Sequence, residues 1–162
     1  MEPYILWIKS TALSHAIRSY PWVWPTCESL HFVGLALLVG VAGFLDLRLL
    51  GAFRQVPVHA IHRMVKWAVV GFVINLITGV IFLIGAPDQY ATNVAWWLKV
   101  FFLVVAGLNA LFFETMPGRR AMALGAGEMP PRTFRIVGAV SLFSWLMVLY
   151  WGRMLPFIGT AF

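Results

Sequence analysis

The chain has 162 residues, 61% of them hydrophobic and only 11% charged, with a formal net charge of +6 and a mean hydropathy of +0.85. A soluble domain carries roughly 45–50% apolar and about 25% charged residues, so this composition excludes an ordinary water-soluble fold. The basic residues fall between apolar runs, which excludes a nucleic-acid-binding stripe, and the single cysteine, Cys27, excludes an internal disulfide and any multi-cysteine metal or iron–sulfur site.

In chain order, Met1 to Tyr20 is neither a signal peptide nor a span, because Lys9, Ser10, Ser14 and Arg18 interrupt it. Ile5, Ile8, Ala12 and Ala16 recur at helical spacing opposite Lys9 and Arg18, which predicts one short helix lying in the membrane interface. Pro21 and Pro25 break it, Thr26 is the expected cap of the next helix, and Trp22 and Trp24 belong to an aromatic belt. Four apolar stretches follow: Glu28 to Leu50, Val65 to Ile84, Val94 to Phe113 and Ile136 to Pro156. Each is close to the roughly 20 residues that cross about 30 Å of hydrocarbon, and lipid forces such spans to be helices. The expected fold is therefore all-α: one membrane domain over 1–162, an integral four-helix transmembrane bundle with a short N-terminal interfacial helix. Met116 to Pro131, rich in Gly and Pro, reads as a loop.

Orientation follows from Lys and Arg in the short connections. The first holds Arg48, Arg54, Arg63 and Lys66, and the third holds Arg119, Arg120, Arg132 and Arg135. The second, Gly85 to Asn93, holds none and contains Asp88. The positive-inside rule puts the two basic connections in the cytoplasm and both termini outside, which for a bacterial inner membrane is the periplasm; Lys9 and Arg18 argue mildly the other way. Small residues at Gly71, Asn75 and Gly79, and in the pairs Ala36/Gly40 and Ala106/Ala110, predict faces where helices pack closely.

Polar residues at membrane depth are the functional candidates. Glu28 and His31, three apart, share a helical face at the outer end of the first span. Lys99 lies roughly 8 Å outward of the middle of the third span and can snorkel toward them. A Glu28–Lys99 pair beside His31 reads either as an ion pair locking two spans or as a ligand, proton or cofactor site. At the inner end, Asp46 and Arg48 lie near the depth of Asn109; a buried Asp46 needs a partner, which Asn109 or a loop arginine could supply. Asn75 is expected to bond to a neighbouring helix.

Histidines raise the question of haem. His31 lies at the outer end of its span, whereas His59 and His62 precede the second span on the inner side. One iron, with ligands at about 2 Å, cannot bridge most of a ~30 Å layer. His15 with His31 is the one bis-histidine version that topology allows. His59 and His62 form an HxxH that reads more simply as interfacial residues. No nucleotide loop, HExxH, catalytic serine motif or CxxC is present, so neither a catalytic residue nor a metal site is assigned.

The run Glu28-Ser29-Leu30-His31, then Gly34 to Leu38, then Asp46-Leu47-Arg48-Leu49-Leu50-Gly51, with Lys99 and the Ala106 to Asn109 segment, resembles a family of small bacterial inner-membrane proteins catalogued as a domain of unknown function. The resemblance spans nearly the whole chain. It implies four helices and a bacterial membrane, brings no activity, and directs attention to Glu28, His31, Asp46, Arg48, Lys99 and Asn109; His59 and His62 are less typical of it.

Three functions remain open on the sequence. One is a small redox or cofactor-binding subunit, with haem b or quinone at His31. Another is a non-enzymatic anchor or accessory subunit for a periplasmic protein partner. The last is a small transporter, which with four helices would have to be a homo-oligomer. None of these makes the chain an enzyme on its own.

Overall fold

The computed structural model describes residues 2–115 and 121–158. Four helices are long and apolar enough to cross a membrane, and the chain is a multi-pass, all-α membrane protein. In chain order the helices are α1 (Pro3–Ser10), α2 (Ala12–Ser19), α3 (Val23–Leu50), α4 (Val58–His62), α5 (Val65–Gly85), α6 (Pro87–Ala91), α7 (Val94–Thr115) and α8 (Arg132–Met154). The spans are α3, α5 with α4 at its head, α7 and α8. Their outward faces carry large apolar side chains such as Val33, Leu76, Phe101 and Leu146, as a lipid solvent requires.

The first span begins five residues earlier than the sequence suggests, at Val23, and Thr26 is not its cap. Pro25 falls in the first helical turn, where a missing N–H costs nothing because the first amides have no partner within the helix. The Thr26 hydroxyl instead donates to the Trp22 carbonyl. The N-terminal segment is two helices rather than one. Thr11 leaves the helical region at ψ 146°, and its hydroxyl accepts from the Ser14 amide to cap α2.

The spans form two antiparallel hairpins, α3 with α5 and α7 with α8, joined along an α3–α8 seam, while α5 and α7 hardly touch. The result is a bundle with one open side, a groove floored by the seam and walled by α5 and α7. Close backbone approach explains three glycines. Gly34 and Gly71 face each other where α3 crosses α5, and a Cβ on Gly71 would lie 2.5 Å from the Gly34 carbonyl oxygen. On the seam, a Cβ on Gly138 would lie 2.9 Å from the Asp46 carbonyl oxygen.

At one end the hairpin tips are fastened together. Gly51, at φ +103°, closes α3 in the left-handed conformation that glycine adopts without strain. Arg48, fully buried, donates from Nε to the Val56 carbonyl at 2.6 Å, and from Nη2 to the Gly125 and Glu128 carbonyls at 3.0 and 3.3 Å. The Gly127 amide donates to the Arg54 carbonyl at 2.8 Å. An apolar cluster of Leu45, Leu49, Val58, Ile61, Phe113, Ala121, Phe134 and Val137 lies beneath these loops. Arg119 and Arg120 fall outside the described residues.

At the other end, α1 and α2 lie against the end of α5 and against α6. Ile5 and Ile17 are buried, the Ser14 hydroxyl donates to the Ile84 carbonyl at 2.8 Å, and Lys9 pairs with Asp88 at 3.1 Å. Leu6, Trp7 and Leu13 point outward, consistent with a helix pair lying in the interface.

Candidate functional site

A cavity of about 800 Å³ with several polar groups in its wall lies at the α1–α2 end of the groove. All four spans and α6 line it. Its apolar wall includes Phe32, Phe82 and Trp96, and its polar groups are Glu28, His31, Tyr90, Lys99 and Arg153. This is the size and make-up of a small-molecule site, mostly apolar with a few convergent polar groups.

His31 is tied to α5 through Thr78. Its Nδ1 lies 2.7 Å from the Thr78 hydroxyl oxygen, which also lies 2.7 Å from the Ile74 carbonyl, one turn back on α5. With the Thr78 proton on Ile74, a neutral imidazole donates from Nδ1 to Thr78. That leaves Nε2 with a lone pair and no protein partner among the described residues. The ring packs against Phe82 with centroids 5.7 Å apart, and Phe82 also packs against Trp24 at 5.0 Å.

The expected Glu28–Lys99 ion pair is not formed. Glu28 accepts instead from the Trp24 indole N–H at 3.2 Å, one turn away on the same helix. Lys99 has no carboxylate within 4.0 Å among the described residues, where the ion pairs are Lys9–Asp88 and His62–Glu114. Its stem runs along Gly152, whose missing side chain leaves the room: Cδ, Cε and Nζ all lie 3.7 Å from where a Cβ would stand. Arg153 stacks its guanidinium over Phe157 at 5.2 Å. Tyr90, on α6 outside the spans, is held un-ionised: burial and then the nearby Glu28 charge push its phenol up to about 12, so it remains a hydrogen-bond donor. Asn93 fixes this rim. Its side chain accepts from the Ala95 amide at 2.9 Å and donates to the Leu155 carbonyl at 3.0 Å, joining the start of α7 to the end of α8.

The small-residue faces divide between two roles. Gly71 makes the close crossing expected of it, but Gly40 and Gly79 have nothing within 4 Å of a built Cβ and, with Ala36, open onto the cavity. Asn75 bonds back to the Gly71 carbonyl of its own helix at 2.9 Å, and its side-chain oxygen has no partner.

The remaining candidates lie elsewhere. His15 is exposed on α2 and does not line the cavity. His59 is exposed at the opposite end, and His62 is engaged with Glu114 at 2.7 Å, so the two do not converge on one point. No cluster of three or more metal-ligating side chains occurs among the described residues. Arg48 is committed to loop carbonyls. Asp46 and Asn109 line a second, smaller cavity, but Asn109 donates to the Val137 carbonyl at 3.1 Å rather than to Asp46. Thr78, Tyr90 and Arg153 were not singled out from the sequence. Thr78 could have been found, because it continues the Gly71 and Asn75 face at i+7.

Comparison with known proteins adds a family but no activity. Neither curated proteins nor solved structures give a match. The model of a family of unknown function matches residues 4–158, nearly the whole chain, and on that match the protein belongs to this family, DUF6644.

Proposed function

We propose that the protein binds a membrane quinone in the cavity at His31. The observation that carries this reading is the His31–Thr78 hydrogen bond, which leaves the Nε2 lone pair available in a groove that lipid can enter from the side. A quinone is a flat ring with oxygens at opposite ends and a long apolar tail. The Nε2 lone pair suits the hydroxyl of the reduced form, Lys99 and Tyr90 supply donors for the oxygens, and Phe82 and Trp96 supply apolar ring contacts. The gap between α5 and α7 gives the tail a route into the bilayer.

Haem b is the second reading, favoured by the two cations without carboxylate partners among the described residues, Lys99 and Arg153, which suit propionates. It is weaker because the cavity offers a single histidine.

One preparation tests both. Protein purified in mild detergent is expected to be colourless and to release close to one quinone per chain on solvent extraction, and His31→Ala should lose it. A Soret band that disappears in His31→Ala transfers the site to haem. An extract holding only phospholipid, with no visible absorption, overturns the cofactor reading altogether.

We further infer that the Arg48 end faces the cytoplasm of a bacterial inner membrane, because the hairpin tips carry the arginines while the α5–α7 connection carries none. In a Cys27→Ser background, a cysteine at Gln89 should react with an impermeant maleimide in intact cells and one at Arg54 should not. The opposite pattern reverses the orientation.

A further inference from the structure

The second cavity, about 280 Å³, lies in the same groove toward the Arg48 end. Its walls are almost wholly apolar, with Leu38, Phe72, Leu103 and Trp145 among them, and Asp46 opens onto it. Asp46 is 4% exposed, and its Oδ2 has no hydrogen-bond partner. No ion pair involves Asp46 among the described residues. Arg48 turns its Nε and Nη2 to the loop carbonyls and leaves Nη1 unpartnered, and Asn109 donates to Val137. Ser141 on α8 is its polar neighbour. The one other titratable group on the cavity wall is Glu114 on α7, and α5 and α8 contribute none. Glu114 is held by His62 at 2.7 Å, and both side chains of that pair are partly exposed, at 46% and 24%.

An isolated carboxylate in an apolar, lipid-surrounded cavity costs many kcal/mol, far more than a fold of ordinary stability can carry. The cost is removed by binding a cation. A sodium ion needs several oxygen ligands, as hard cations do, and the walls offer only Asp46, Asn109 and Ser141 beyond the engaged Glu114. A proton needs one.

We propose that Asp46 is a proton-binding site, its carboxyl carrying the proton into the apolar groove, with the Glu114–His62 pair as the group that exchanges it with the aqueous face. Binding forms the O–H bond at the unpartnered Oδ2, and release breaks it and passes the proton toward Glu114. This site is separate from the cavity at His31 and does not depend on what that cavity holds.

The test uses the intact protein in lipid vesicles. Dicyclohexylcarbodiimide, an apolar reagent that reacts with protonated carboxyls reached through lipid, should label Asp46 at neutral pH, as mapped on the unmodified protein by mass spectrometry. Infrared spectra should show a protonated-acid carbonyl band that shifts in heavy water. That band should be lost in Asp46→Asn, a nearly isosteric change, and kept in Glu114→Gln. Labelling confined to Glu28 or Glu114, or an acid band that survives in a folded Asp46→Asn protein, overturns the proposal. Protection of Asp46 by sodium chloride but not by choline chloride also overturns it, in favour of a sodium site.

Discussion

The two ends of the bundle treat polar groups in opposite ways. At the Arg48 end a fully buried cation donates through Nε and Nη2 to three carbonyls drawn from both hairpin tips, and its Nη1 alone has no partner. At the His31 end, Lys99 and the second imidazole nitrogen line the cavity with no ion pair or hydrogen-bond partner among the described residues. Burial alone is therefore a poor guide to function in a membrane protein. What separates Arg48 from Lys99 and His31 is how much of the donor and acceptor capacity of the group is taken up by the protein itself.

The largest expected effect breaks the satisfied end. Arg48→Met leaves the carbonyls of Val56, Gly125 and Glu128 without their donor, and at a net 1.5–3 kcal/mol for each hydrogen bond to a charged group the loss is about 3 kcal/mol or more. A sharp fall in melting temperature in detergent checks it; an unchanged value would mean that the tips hold without the staple.

Next comes a matched pair on one helix. Gly71→Leu drives a side chain into the Gly34 backbone and should cost about 3 kcal/mol or prevent folding. Gly79→Leu, two turns along, meets nothing and should leave thermal stability within about 1 kcal/mol while filling the cavity and lowering bound quinone at least tenfold. Similar destabilisation by both would deny that the groove is open at Gly79.

Thr78→Val sharpens the comparison at the His31 end. It removes the acceptor for Nδ1–H, worth about 1 kcal/mol, and so should weaken quinone binding roughly five- to tenfold while the fold survives. Retention equal to the native protein would show that the tautomer does not matter. The smallest effect is expected at Lys9, whose partly exposed pair with Asp88 is worth at most about 1 kcal/mol. Lys9→Ala should shift the melting temperature by no more than a few degrees.

The spans were legible because bilayer thickness sets their length and lipid sets their composition. Their ends were less so. Pro25 looked like a stop and is a first-turn residue, and Thr11 hid a break inside what read as one helix. The candidate residues on α3 were found by their cost at membrane depth, but depth does not say which neighbour a side chain meets. Arg48 could not be separated from His31 until the loop carbonyls were in place. Glu28 was matched to Lys99 by charge, whereas a tryptophan one turn away holds it. The open side of the bundle was invisible in sequence, since nothing in α5 or α7 alone says that the two will not meet. Gly79 therefore read as a packing residue like Gly71.

The α3–α8 seam carries one further consequence. The hairpins are clamped at their Arg48 tips, meet along this line, and are tied at the other end by α6. A side chain at position 138 would press on the Asp46 backbone 2.9 Å away and push α8 off α3, although no occupant of the His31 cavity touches that glycine.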